Sequence, residues 1–383
     1  MAPRPDILIV GAGIFGLSAA WALARAGLRV GVLDAAAGPG SGASGGLLGA
    51  LTPFAPDRWD AKKTFQFRAL TAAPGWWAEI AEASGLDPGY ARTGRLIPLA
   101  DGRARALAEA RAADAEANWG SIARWRVTDT VPADWLAPEA APAGAVYETL
   151  SARLDPPRAL AALARAAARA GATLEWGATV HAACAGRIET ATGPREAGTV
   201  IVAAGTGTAA LLPKPLATSA VKGQAARLAA ATPARPLLTP PGLYIVPQAD
   251  GTVAVGSTKE PGRTDTETDA ALEALIDAAR RTSPALARAP VTARWAGLRP
   301  RGRWPDPILG GFPELPGLLV ATGGYGIGFG LAPAVAATLT DLVQGRDPGL
   351  PPRFAPAAHL AGDGPHRSTG TPTRLPHSVQ DPS

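Results

Sequence analysis

Ile7-Leu8-Ile9-Val10-Gly11-Ala12-Gly13-Ile14-Phe15-Gly16 decides how the rest of the chain is understood. The first four residues are apolar and mostly β-branched, enough for one strand buried on both faces. They run straight into a G-x-G-x-x-G turn. Ile14 to Ala26, rich in Ala and Leu, is predicted as a helix, with Gly27 at its C-terminal stop. Arg29 to Leu33 is predicted as a second strand, and Asp34 closes it. Gly11 permits the tight turn, Gly13 the approach of a pyrophosphate, and Gly16 close packing of helix on strand. The helix then turns its unpaired N–H groups and positive dipole end toward the phosphates. Asp34 stands where a carboxylate accepts from a ribose 2′-OH. The turn alone is weak evidence in a chain with 45 glycines. Between two strands, with the acid in place, it is a dinucleotide-binding fingerprint.

An NAD dehydrogenase continues from such an acid into further strand–helix units. Here the chain enters Gly38-Pro39-Gly40-Ser41-Gly42-Ala43-Ser44-Gly45-Gly46-Leu47-Leu48-Gly49. Residues this small let the backbone lie against a broad flat ring. An isoalloxazine is such a ring, so FAD is favoured over NAD.

At this point the residues resemble the D-amino acid oxidase and glycine oxidase family of flavoproteins. The turn, Asp34 and the Ser-Gly-Ala-Ser-Gly-Gly loop at 41–46 carry the resemblance. It can be followed in motif order across most of residues 5–345. It implies an α/β fold: a discontinuous Rossmann-like FAD-binding domain with an interleaved α+β substrate domain on an antiparallel sheet. The expected boundaries are 1–50, 150–212 and 292–347 for the first, and 51–149 and 213–291 for the second.

Length and composition agree with a globular chain. Its 383 residues can bury a large core, and 18% charged with 47% hydrophobic residues excludes a disordered one. The net charge of +5 comes from scattered Arg, with no basic stripe, so nucleic acid is not an expected partner. A single cysteine, Cys184, excludes an internal disulfide or a cysteine metal cluster. No run of about 18 apolar residues suggests a membrane span. The chain is expected in the cytoplasm.

Along the chain, Thr64 to Ala83 is predicted as a helix near a Pro74-Gly75 break, with Trp76 and Trp77 as packing residues. Residues 100–117 form another helix. Asp155 caps a helix from Arg158 to Ala170. Strands are expected at Thr173 to Glu175 and Ala178 to Ala182, and Gly198 to Gly205 is read as a buried strand leading into a Gly turn. Val221 to Gln224, Leu243 to Pro247 and Val253 to Gly256 are strand-like, and Thr268 to Thr282 is helical. The chain returns through Trp295 to Pro300 and Leu318 to Thr322 into Gly323–Gly330, which opens a helix from Leu331. Residues 352–383 are expected to be a disordered tail, so a cut after about Pro352 is expected to leave stability unchanged.

No protein nucleophile is evident. His359, His366 and His377 lie in or beside the tail and His181 in a strand-like segment. No Ser–His–Asp set or H-E-x-x-H helix exists, and no metal is expected. Hard chemistry then falls to the cofactor. In flavin amine oxidation a hydride leaves the carbon bearing a neutral amine for flavin N5, and the imine hydrolyses in water.

The resemblance implies specific residues. Ile14 and Phe15 at the helix start, Ser41, Ala43, Ser44, Gly45 and Gly46 in the small-residue loop, Val180, and Ala204-Gly205 are implied FAD contacts. So are Gly324, Tyr325, Gly326, Ile327 and Gly328, where a helix N-terminus faces the charge that reduced flavin develops around N1 and C2=O. Cys184 is away from any flavin-attachment position, so the FAD is expected to be non-covalent. Arg299, in Gly-Leu-Arg-Pro, matches the position that holds a substrate carboxylate, and Tyr244 a position lining the substrate pocket. Two departures fall at the substrate. Gly326 stands where glycine oxidases carry an arginine, and Lys259 where a methionine is expected. Lys259 would bind an anionic side group or help oxygen reach reduced flavin. Each has a plainer alternative: a surface Arg beside Arg301 and Arg303, a core Tyr, a solvated Lys.

The substrate implied is a small amine or amino acid, with O2 or another electron acceptor. Two other readings stay open. Residues 41–53 also resemble the flavin domain of bacterial tRNA wobble-uridine modification enzymes, which points to removal of an N-alkyl group from a secondary amine, including one on a modified tRNA base. A flavoprotein that binds its cofactor and turns nothing over is the other.

Overall fold

A computed structural model of the protein describes residues 4–232 and 234–361. Ile7–Val10 forms a strand buried at every position, Ile14–Arg25 a helix, and Val30–Asp34 the second strand. Side chains of a strand alternate between faces, so a strand apolar throughout must be covered twice. Ile7 and Ile9 pack with Leu17, Leu23, Leu160 and Leu331 of a helical layer. Leu8 and Val10 pack on the other face with Val180, Ile188, Val200 and Val320. That second cover includes a three-stranded antiparallel sheet, Val180–Cys184, Arg187–Thr190 and Gly193–Glu196. Its last two strands are short and largely polar, and gave no period for the sequence to reveal.

Among the described residues, the central sheet has six strands in the order 308–311, 318–322, 199–202, 7–10, 30–34, 173–176. Every neighbouring pair is parallel except the edge strand Ile308–Gly311. Distant segments therefore rejoin beside the opening strand, as a discontinuous nucleotide domain requires. A second, nine-stranded sheet is built around Ser219–Ala229, which pairs with Thr252–Gly256, Glu260–Pro261 and Val291–Arg301. It is antiparallel apart from the pairing of Leu237-Leu238 with Arg95-Leu96. Helix Ala270–Thr282 seals it with Leu272, Ile276 and Ala279.

Three expectations are corrected. Residues 292–301, assigned to the nucleotide domain, pair with the substrate sheet from Leu228↔Val291 to Ser219↔Arg301. The chain crosses back only after Arg301. Residues 61–84, assigned to the substrate domain, form one helix whose Leu70, Ala73, Trp77 and Ile80 join the core of the nucleotide sheet. That spacing puts all four on one helical face. The helix also runs unbroken through Pro74. The lost backbone bond costs about 3 kcal/mol, which burial of the flanking Leu70, Ala73 and Trp77 offsets.

The third correction concerns the tail. Residues 352–361 are docked: the Ala217 N–H donates to the His359 carbonyl (2.6 Å) and the Ala361 N–H to that of Pro215 (2.9 Å). His359 is fully buried, its Nδ1 accepting from the Arg303 N–H at 3.2 Å. Phe354 packs edge-on against Phe65, ring centroids 5.2 Å apart. Two isolated anchors make no periodic pattern, which is why the segment looked featureless. The rest of the expected tail, 362–383, lies outside the described residues.

Phe354→Ala should destabilise the folded protein by about 3–5 kcal/mol, as expected for emptying a buried aromatic site. The midpoint of urea unfolding measures this. A loss under about 1 kcal/mol would mean the segment is not docked in solution.

Candidate active site

The carboxyl ends of the central strands open into a cavity of about 600 Å³, bounded on its far side by the substrate sheet. In open α/β sheets this is where ligands bind. Of the predicted cofactor residues, all but Gly16 and Gly45 line it. Those two act behind it. A Cβ on Gly16 would meet the Gly11 carbonyl oxygen at 1.9 Å, so the helix sits too close to the turn for any side chain. Gly45 is pressed equally against the Gly40 carbonyl, and a direct cofactor contact from it is not supported.

Two helix N-termini face this space. The first begins after Gly13, and the second, Gly328–Val343, after Ile327. Neither has an acidic residue in its first turn or a side-chain cap from its own N-cap residue. Ser44 reaches across from the small-residue loop, its Oγ accepting from the Ile14 N–H at 3.1 Å. Asp34 lines the nucleotide end, where its carboxylate accepts from the N–H groups of Ala12 (2.6 Å) and Ala36 (2.8 Å). Acceptor capacity remains on both oxygens for a ribose hydroxyl. Two positive helix ends, a carboxylate at one extreme and a glycine-lined wall between suit FAD in charge and flatness. Gly13, Ser44 and Asp34 would hold the nucleotide part, and Gly324 to Gly328 would meet the ring.

At the other end Arg299 dominates. It lies 9% exposed, with the guanidinium across the backbone of Gly223, where a Cβ would come within 2.8 Å of Nε. Nη1 donates to Ser257 Oγ (3.1 Å), and Nη2 to the carbonyls of Thr258 and Lys222. These partners are a hydroxyl and two carbonyls, none a carboxylate, and Nε is buried without a partner. Burial pushes the guanidinium below its ordinary value, opposed by Tyr325, Glu260 and Tyr244. The Tyr325 ring lies beside Arg299 with its centroid 5.4 Å from Cζ. Tyr325 itself is left-handed (φ 44°), a conformation costing about 1–3 kcal/mol in a non-glycine residue. Its N–H, bonded to the Pro300 carbonyl at 3.1 Å, helps hold it there.

Tyr244 and Lys259 also line the cavity, so all three predicted substrate residues come together. Lys259 is exposed on this wall, and partial burial followed by the nearby Arg299 lowers its ammonium below the usual lysine value. Lys62, Ser257 and Trp295 are among the lining residues that the sequence did not single out. Lys62 pairs with Asp306 (3.1 Å) and donates to the Pro305 carbonyl (2.7 Å). Trp295 lies over Gly297 and Gly46, and those glycines were the available signal.

The fold and cavity define a flavin-dependent oxidoreductase. A family model described as DAO, FAD dependent oxidoreductase, matches residues 6–342, and the chain belongs to that family. It is 31% identical over 366 residues to the glycine oxidase of Geobacillus kaustophilus, covering 91% of this chain and 95% of that one. To the glycine oxidase of Pseudomonas aeruginosa it is 32% identical over 387 residues, covering 92% and 99%. The crystal structure of the Geobacillus kaustophilus enzyme superposes with a TM-score of 0.84 at 27% identity, over 94% of this chain and 100% of that one. Among the described residues no helix is long and apolar enough to cross a membrane.

Gly13→Val should lower the flavin content of purified protein severalfold while leaving the circular dichroism spectrum intact. The new side chain lies beside Ser44 at the helix start, where a pyrophosphate needs bare backbone. Full flavin occupancy in this variant would remove the phosphate role from Gly13.

Proposed function

We propose that the protein oxidises a small amine bearing a carboxylate, an amino acid or N-substituted amino acid, with dioxygen as final electron acceptor. One observation carries this reading: a buried arginine that faces the cavity with no carboxylate among its bonds. Burying a cation without a counter-charge is costly, so such a site is built for an anion that arrives with the ligand. A guanidinium offers paired donors that match a carboxylate and fix the α-carbon's position.

The bound flavin supplies the acceptor for the hydrogen and two electrons that leave the amine-bearing carbon. The chain supplies placement. Arg299 holds the carboxylate, Tyr244 borders the substrate, and the helix end at Ile327 contributes positive potential. Gly326 leaves the wall facing Arg299 bare, 3.7 Å from Nη1 to the position a Cβ would take. That space accommodates substrates with a side chain. Lys259 extends the positive wall outward and suits an acidic group on that side chain. The relatives named glycine oxidase support the amino-acid reading.

Arg299→Leu should lower kcat/KM for a carboxylate-bearing amine by roughly thirty- to two-hundred-fold, from a lost contact of about 2–3 kcal/mol. Arg299→Lys should restore only part, since an ammonium lacks the planar fork. An amine without a carboxylate, where it reacts, should be nearly indifferent. Equal losses for both substrates in stopped-flow flavin reduction would sink the carboxylate reading.

A further inference from the structure

Arg299 is aimed by a short piece of backbone that the sheet itself does not hold. Strand Ser219–Ala229 pairs Ala225 with Gly256 and Lys222 with Glu260. Between those pairs Gly223 and Gln224 face Ser257, Thr258 and Lys259, one residue too many. The surplus makes a bulge, a device that re-aims groups beside binding sites. From it come two of the partners that orient the guanidinium, Ser257 Oγ and the Thr258 carbonyl.

Gln224 ties the bulge down. Its backbone N–H donates to Thr258 Oγ1 at 3.0 Å, and Thr258 Oγ1 in turn donates to Glu260 Oε1 at 2.5 Å. Its side-chain Nε2 donates to Glu260 Oε1 and Asp269 Oδ1, both at 2.8 Å, and its Oε1 accepts from the Asp269 N–H at 2.9 Å. Asp269 caps helix Ala270–Thr282 through the Ala271 N–H. Gln224 is fully buried, and strand alternation turns it away from the cavity that its neighbours Gly223 and Ala225 line. Its amide is thus fully used in joining bulge, helix cap and central strand. None of those bonds reaches the substrate space.

We propose that Gln224 is a positioning residue for the carboxylate clamp: by fixing Thr258 and Glu260 it aims Arg299 and sets how strongly the site holds a carboxylate. The proposal rests on the reading of Arg299 as that clamp. Apolar replacement of Gln224 would leave Glu260 and Asp269 short of a donor and free the bulge to relax. The guanidinium would then stay in the cavity but lose its fixed orientation.

The test uses the FAD-loaded protein and acetate as the probe, with binding followed by the change in flavin absorbance. Gln224→Met and Thr258→Val should each weaken acetate about tenfold, the scale of one charge-assisted hydrogen bond lost from the site. For a carboxylate-bearing amine, KM should rise by a similar factor with kcat changed less than threefold. Gln224→Glu, which sets a third carboxylate against Glu260 and Asp269, should not rescue. If the melting temperature falls in these variants but acetate affinity does not, Gln224 is structural only and the proposal fails. If acetate binds equally well to wild type and Arg299→Leu, the clamp reading fails first. If acetate needs Arg299 yet ignores both Gln224→Met and Thr258→Val, the clamp stands and the positioning role is overturned. Should Gln224→Met fail to fold, Thr258→Val, which keeps the side-chain volume, decides alone.

Discussion

A buried guanidinium that bonds a hydroxyl and two carbonyls, and no carboxylate, is the constraint around which the substrate end is arranged. In water a cation is solvated at no cost to the fold. At 9% exposure, that solvation must be replaced by fixed dipoles. The Thr258 and Lys222 carbonyls supply them on one side, and Tyr325 lies alongside. Those contacts keep the charge in place without neutralising it. The bare Cα of Gly223 leaves room for the guanidinium, and the left-handed Tyr325 sets its ring beside it.

The nucleotide end solves the opposite problem. There the ligand's phosphates bring negative charge, and the fold offers partial positive charge from helix ends in place of side-chain cations. Among the described residues, the cationic side chains in the lining are Lys62, Lys259 and Arg299, on the substrate wall or the helix beside it. Asp34 sits at the other extreme. Charge is therefore graded along a single cavity, acid at one end and base at the other. That grading matches the two ends of the cavity to different groups, a ribose hydroxyl beside the acid and an anion beside the base.

How much of this was legible follows from the range of each signal. The opening strand, turn and helix were readable because adjacent residues decide them. Burial of Ile7 to Val10 on both faces was implied by four apolar residues in a row. The returning strands at Thr199–Val202 and Leu318–Thr322 were legible for the same reason. What failed was partnership. Val291–Arg301 has half-exposed alternation that does not say which sheet it joins, and only its ladder with Ser219–Ala229 decides. Helix Ala61–Ser84 showed its apolar face but not the surface that covers it. Phe354 and His359 anchor the last described segment as isolated residues. Arg299 and Tyr244 were found through a resemblance. Ser257 meets Arg299, Lys62 meets Pro305 and Trp295 meets Gly46, contacts between residues 42 or more positions apart that no local pattern encodes.

The polar network behind Arg299 was invisible in the sequence for another reason. Lys222 and Gln224 occupy alternate positions of a strand whose other residues are mostly apolar, and such residues are usually solvent-facing. Here both are fully buried. Lys222 Nζ meets Asp265 (2.5 Å) and Asp269 (3.4 Å), so its charge is answered on the same face that Gln224 occupies. Strand alternation then separates two electrostatic regimes across one backbone. On the far face cations and carboxylates pair within the protein. On the cavity face Arg299 bonds a hydroxyl and two carbonyls, and Glu260 acts on it without a direct bond. A direct pair between this arginine and Glu260 or Asp269 would neutralise it within the protein. The one-residue bulge prevents that by turning Glu260 toward Gln224 and Thr258 while presenting the Thr258 carbonyl to Arg299.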